Sequence, residues 1–166
     1  MPKKPIASFT AKIKSPDALA RALAAARKEG KCAVFTNGCF DLIHKGHVTY
    51  LEKAKKLGDL LVVALDTDES VKSLKGKGRP INTLADRMEV IAALGSVDYV
   101  TWFENSDPAP LIRKLKPYFL VKGGDWKPES IRGAQDVLAS GGKVKSLPYV
   151  EGRSTTKMLE RARGNK

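Results

Sequence analysis

Cysteine and histidine are scarce in this chain, two of each in 166. The cysteines, Cys32 and Cys39, bracket one short apolar run. An extended segment would hold them too far apart to bridge, and their spacing is not that of zinc ligands. A disulfide scaffold and a zinc module are therefore excluded, and reduced, structural thiols fit an expected cytoplasmic location. Long apolar runs are missing as well. The longest, Leu60 to Leu65, falls well short of the ~20 residues that a membrane span needs, so no membrane partner is expected. The basic start, Met1 to Pro5, leads into no apolar segment, so no secretory signal is expected either. Aromatic residues are only 7% and do not interleave with basic ones, which counts against a surface for single-stranded nucleic acid.

What is abundant is positive charge. Thirty Lys and Arg against 18 Asp and Glu give a net charge of +12. Such a balance suits nucleic acid or small anionic substrates. The cations are spread through every helical segment, with one short knot at Lys72, Lys75, Lys77 and Arg79, so small anions are the expected partners and nucleic acid is not.

Hydrophobic periodicity divides the chain into alternating strands and helices. Residues 1–14 read as a loose basic arm and 15–166 as one domain. Ser15-Pro16-Asp17 opens a helix with an N-cap, a first-turn proline and an acid matched to the dipole. Strands are expected near Cys32–Phe35, Leu60–Leu65, Asp98–Trp102, Tyr118–Val121 and Lys143–Leu147. Helices are expected after each, including one with Val48, Leu51 and Ala54 inward and one over Ser130–Ala139. This alternation predicts an α/β fold: a Rossmann-like, doubly wound, mainly parallel five-stranded sheet with helices on both faces. The loops at 36–47, 66–68, 122–126 and 151–156 would then open on one edge, where such sheets bind ligands.

The chemistry concentrates in the first of these loops. A strand that hands over to a helix through Asn37-Gly38 aims the helix's first N–H groups and its positive dipole end above the sheet edge, a natural place for phosphate. His44 and His47 stand at that helix start, and Gly46 between them lets a phosphate approach the backbone. Two imidazoles beside one phosphorus can bond to its non-bridging and leaving oxygens, which is what nucleotidyl transfer chiefly requires. Lys75-Gly76-Lys77-Gly78-Arg79-Pro80 is either a solvated linker or a mobile lid over phosphates, and its position beside the sheet edge favours the lid. Lys122-Gly123-Gly124-Asp125-Trp126 reads as a nucleotide pocket, with Trp126 either against the nucleotide or covering the core. Ser154, Thr155 and Thr156 open the last helix with more hydroxyls than capping needs, a second anion site.

The pattern Gly38-x-Phe40-Asp41-x-x-His44-x-Gly46-His47 resembles the GxFDxxHxGH signature of the cytidylyltransferase-like nucleotidyltransferases. Further along, Val71 to Gly76, Arg79-Pro80, Arg87, Val121 to Asp125 and Gly152-x-Ser154-Thr155-Thr156 follow the order found in heptose 1-phosphate adenylyltransferases. Those enzymes resemble the C-terminal half of bifunctional ADP-heptose synthases, so a stand-alone form lacking the fused sugar kinase is expected. Tyr149 stands where glycerol-3-phosphate cytidylyltransferases carry an arginine, which counts against that branch.

The resemblance implies transfer of AMP from ATP to a sugar 1-phosphate in lipopolysaccharide inner-core synthesis, with Mg²⁺ accompanying ATP and the metal ligands unknown. The alternatives are a cytidylyltransferase acting on an alcohol phosphate and, from another class, an RNA-binding or regulatory module on the same fold. His44, His47 and Lys75 are the implied catalytic residues. Thr36, Asn37, Gly38, Cys39, Phe40, Gly46, Lys122, Gly123, Asp125, Trp126, Ser154, Thr155 and Thr156 would contact the nucleotide. Asp41, Asp66, Asp68, Lys72, Lys77, Arg79 and Arg87 would face the substrate, with Asp41 either orienting the turn or approaching the metal. A homo-oligomer is compatible with the resemblance.

Overall fold

In a computed structural model, which describes residues 8–124, 126–148, 155–162 and 164, five strands form one sheet. They are β1 (Ala33–Gly38), β2 (Leu60–Asp66), β3 (Tyr99–Phe103), β4 (Phe119–Gly123) and β5 (Lys143–Leu147), in the order β3-β2-β1-β4-β5. Every pairing between them is parallel. The central strands read as continuous apolar runs because both of their faces are covered. From Leu61 to Asp66, β2 is buried throughout.

The helices are α1 (Pro16–Lys28), α2 (Lys45–Lys55), α3 (Asp68–Lys75), α4 (Leu84–Ala92), α5 (Ala109–Leu115), α6 (Ala134–Ala139) and α7 (Thr155–Ala162). Alternate strand residues feed two cores, as the two-residue side-chain period demands. Phe35, Val62, Ala64 and Leu120 pack with Leu19 and Leu23 of α1, Ile112 and Leu115 of α5, and Val137 of α6. Val34, Leu61, Val63 and Val121 pack with Leu51 and Ala54 of α2 and Ile91 and Ala92 of α4. The sheet is thus doubly wound, with helices on both faces. None of its described helices is long and apolar enough to cross a membrane.

Three expectations need correction. The arm is not loose over its second half. Ser8 caps a 3₁₀ turn at Phe9–Lys12, Ile13 bridges to Val100, and Lys12 Nζ donates to the Leu94 carbonyl at 3.1 Å. Val48, assigned to the apolar face of α2, is 43% exposed, whereas Tyr50, Leu51 and Ala54 are buried. It belongs to the first turn, next to the sheet edge rather than over the sheet. The single helix expected over Ser130–Ala139 is a 3₁₀ turn (Pro128–Ser130) followed by α6. The break is Gly133, at φ 83°, where an added Cβ would lie 2.5 Å from Ile112 Cδ1. Close packing against α5 and a left-handed backbone both require glycine there.

Candidate active site

The end of β1, the turn after it and the start of α2 form one built unit. Phe40 takes a left-handed backbone (φ 46°), and its ring covers Gly38, where an added Cβ would come within 3.2 Å of Phe40 Cε2. The Phe40 ring then meets His47 edge-on, with centroids 5.1 Å apart. His47 in turn stacks on His44 at 3.9 Å and 18° between planes. The two imidazoles therefore lie side by side on a rigid aromatic support. His44 is the N-cap of α2, in extended conformation and with no side-chain cap bond; the His47 and Val48 N–H groups donate to its carbonyl, which leaves those of Lys45 and Gly46 available to an anion.

Electrostatically His47 favours its neutral form. His47 is pushed down to about 4, chiefly by burial and then by His44 beside it, with the Leu42 backbone acting in the opposite sense. Its Nδ1 is buried and closes no hydrogen bond of good geometry among the described residues. A neutral ring still donates one hydrogen bond, and it takes up positive charge once an anion compensates its burial.

Below and beside the histidines two charged side chains hold the turn in place. Asp41, 3% exposed, binds the segment after the basic loop. Its Oδ2 accepts from Arg79 Nε at 2.6 Å, its Oδ1 accepts the Ile81 and Asn82 N–H groups at 2.8 and 3.1 Å, and its carbonyl accepts from Asn82 Nδ2 at 2.8 Å. Burial alone would raise its pKa, but these donors together hold the carboxyl below its usual value. Arg87 of α4 is buried completely and donates to the carbonyls of Cys39 (2.6 Å), Asp66 (2.8 Å) and Asn82 (3.1 Å) and to Asp68 Oδ1 (2.8 Å). One guanidinium thus joins the ends of β1 and β2, the start of α3 and the stretch before α4.

Residues 35–161 match the family profile described as "Cytidylyltransferase-like". The chain belongs to the cytidylyltransferase-like family. A relative named "Bifunctional protein HldE" from Actinobacillus pleuropneumoniae serotype 5b is 53% identical over 154 residues, 93% of this chain and 32% of that protein. The protein of the same name from Vibrio cholerae serotype O1 is 52% identical over 152 residues, 92% of this chain and 32% of its own. The chain therefore spans about a third of the length of these curated relatives. A crystal structure titled as a lipopolysaccharide core biosynthesis protein from Thermoplasma volcanium superposes with a TM-score of 0.60 at 28% identity, over 75% of this chain and all of that one.

Within this cytidylyltransferase-like chain the expected site residues fall into distinct places. His44, His47, Gly38, Phe40 and Gly46 share the turn. Asn37, Cys39, Asp66 and Lys122 form its floor: Lys122 Nζ reaches Asn37 O and Oδ1 at 3.3 and 3.4 Å, and Cys39 Sγ donates to Asp66 Oδ2 at 3.7 Å. Thr155 docks α7 beside the turn by donating to the Leu42 carbonyl at 3.4 Å. Trp126 is 49% exposed, its indole N–H bonded to the Gly123 carbonyl at 3.1 Å, so it does not cover the core. Lys72, Lys75 and Lys77 are exposed, and Gly76 and Gly78 take positive φ between them.

Thr36 and Arg87 change assignment, and Asp41 takes the first of its two expected roles. Thr36 is fully buried, with Oγ1 2.7 Å from the Tyr50 hydroxyl, so it cannot reach a nucleotide. Arg87 spends its guanidinium on protein carbonyls and Asp68, and it holds the site rather than a substrate. Asp41 has both carboxylate oxygens occupied by protein donors and orients the turn. Arg79 gives its Nε to Asp41, and among the described residues no hydrogen bond or ion pair holds Lys75 or Lys77. Asp125, Ser154 and Tyr149, and the Thr156 side chain, lie outside the described residues.

Asn82 and Tyr50 escaped the sequence reading. Asn82 carried a faint signal as a polar residue just before the Thr83 cap, and Tyr50 carried none, since an aromatic at helical spacing reads as core. No group of three or more His, Cys, Asp or Glu among the described residues could hold a metal ion.

Proposed function

We propose that the chain transfers AMP from ATP to D-glycero-β-D-manno-heptose 1-phosphate, releasing pyrophosphate and ADP-heptose for lipopolysaccharide inner-core synthesis in the cytoplasm. The observation that carries this reading is the stacked His44–His47 pair at the start of α2, with His47 held neutral chiefly by burial, in a chain 53% identical to part of a protein named HldE. A sugar phosphate, with a second pKa of about 6, is largely dianionic at neutral pH and needs no general base. Its oxygen attacks the α-phosphorus, forming one P–O bond as the bond from the α-phosphorus to the bridging oxygen of pyrophosphate breaks.

The protein's part is alignment and charge. His47 donates to the oxygen that gains charge, in a water-poor pocket where that bond strengthens as the reaction proceeds. His44 steadies the neighbouring phosphate oxygen, and Lys75 and Lys77 approach from the basic loop. Thr155 and its neighbours at the start of α7 would take the triphosphate tail. Mg²⁺ enters this reading as the counter-ion carried by ATP, and because the described residues offer it no ligand group, no step is assigned to it.

The test is pyrophosphate release from each of the four nucleoside triphosphates, with and without heptose 1-phosphate. Release that needs both ATP and the heptose phosphate is expected. The family's description names cytidylyl transfer, so CTP with glycerol 3-phosphate is the informative competitor, and a preference for that pair would replace the present reading.

A further inference from the structure

The floor of the site holds two charges, a buried Asp66 and a half-buried Lys122, that close no ion pair with one another among the described residues. β1 and β4 are the strands on either side of the point where chain order reverses, the place where open α/β sheets accept ligands. They pair at Val34–Phe119 and Phe35–Leu120, whereas β1 stays paired with β2 as far as Gly38–Leu65. The sheet therefore opens between β1 and β4 toward its C-terminal edge. Lys122 projects into this opening from β4, and Asp66 approaches from β2 on the other side of β1.

Among the described residues both groups have only long hydrogen bonds. The hydrogen bond to the Asp66 carboxylate is the Cys39 thiol at 3.7 Å, and those from Lys122 are the long contacts to Asn37 at 3.3 and 3.4 Å. The carboxylate and ammonium attract each other, yet no ion pair closes between them among the described residues. Burial pushes the Asp66 carboxyl up and the Lys122 ammonium down, in each case against the pull of the other. A buried carboxylate and a half-buried ammonium with only long hydrogen bonds are costly unless a ligand completes them.

We propose that Asp66 and Lys122 act as one specificity unit that binds the hydroxyl groups of the acceptor. A phosphate does not fit between them, because the pair is neutral overall and the carboxylate repels it. Neighbouring hydroxyls of a sugar fit well: one donates to Asp66 Oδ and another accepts from Lys122 Nζ, so both charges are satisfied with no net charge added. Lys122 thereby moves from the nucleotide side of the site to the acceptor side. The chemical class selected is a polyhydroxylated phosphate ester rather than a simple one. That the hydroxyls belong to an acceptor rests on the proposed AMP transfer.

Asp66→Ala and Lys122→Met test the unit, the second keeping the stem of the side chain so that packing is preserved. Binding of heptose 1-phosphate and of methyl phosphate, which lacks hydroxyls, is measured by calorimetry with α,β-methylene-ATP present, alongside KM values in turnover. The expected result is an affinity for heptose 1-phosphate at least about 10-fold weaker in each variant, with methyl phosphate and ATP within about two-fold and the two losses non-additive. Equal losses for both phosphates, or a loss of ATP affinity, would overturn the unit. Variant-sensitive heptose phosphate binding without AMP transfer upholds the unit and removes the proposed reaction. AMP transfer with unchanged acceptor affinity in both variants does the reverse.

Discussion

An imidazole that is neutral when its site is empty can respond to a substrate, whereas one already protonated has little left to gain. His47, held at about 4 mainly by burial, is of the first kind. Bound triphosphate should raise its pKa, so ATP binding between about pH 4.5 and 6.5 is expected to take up protons. Calorimetry in buffers of different ionisation enthalpy measures that uptake, which His47→Gln should diminish. The same depression makes the fold acid-sensitive. The unfolded histidine binds its proton below about pH 6.5 while the folded one does not until about 4. Stability should therefore fall as pH drops through that window, and the urea midpoint of His47→Gln should fall less. In catalysis, His47→Ala is expected to lower kcat by about 10²–10³-fold with little change in KM, because its bond strengthens mainly in the transition state. An unchanged kcat would remove His47 from the chemistry.

Elements, unlike single residues, were largely legible in the sequence. The apolar run Leu60–Leu65 and the capped start at Ser15 declare a buried strand and a helix through local physics alone, and both are present. What stayed hidden was direction. An arginine or aspartate near a phosphate site has the same sequence signature whether it points outward to a ligand or inward to a carbonyl, and Arg87 and Asp41 point inward. The Gly133 break was hidden for a related reason, since it depends on the approach of Ile112 from a distant segment. Arg87→Leu would strip three carbonyls, that of Asp66 buried, of charge-assisted bonds and is expected to cost about 3–5 kcal/mol of stability, read from urea unfolding. Asp41→Asn should loosen the loop more than the fold. It removes the charge that holds Arg79 and weakens the hold on residues 81–82, so trypsin should cut faster at Lys75 and Lys77 while the melting temperature shifts modestly. Equal cleavage rates would show that the loop is held by other means.

At the scale of the whole molecule the open question is what a charge of +12 is for. Part of it has local work unrelated to nucleic acid. The outermost strand β5 exposes Lys143 and Lys145, whose ammonium groups lie 5.9 and 5.7 Å from the Tyr118 and Phe119 ring centroids. Lysines on an edge strand hinder pairing with another sheet. Another part, Lys75, acts on Cys39 and Asp66 at the floor of the site, so the field there favours capture of small polyanions. Scattered charge and focused charge respond differently to salt. Labelled RNA followed by fluorescence anisotropy should bind at 50 mM salt only through its phosphates, and several such contacts lose on the order of 10³-fold or more by 200 mM. ATP turnover depends on a few aligned contacts in a partly buried pocket, so its kcat/KM should fall only several-fold over the same range. RNA binding that survives 200 mM salt with micromolar affinity would mean that the scattered lysines form a true nucleic-acid surface, and the basic balance would then need a second function to explain it.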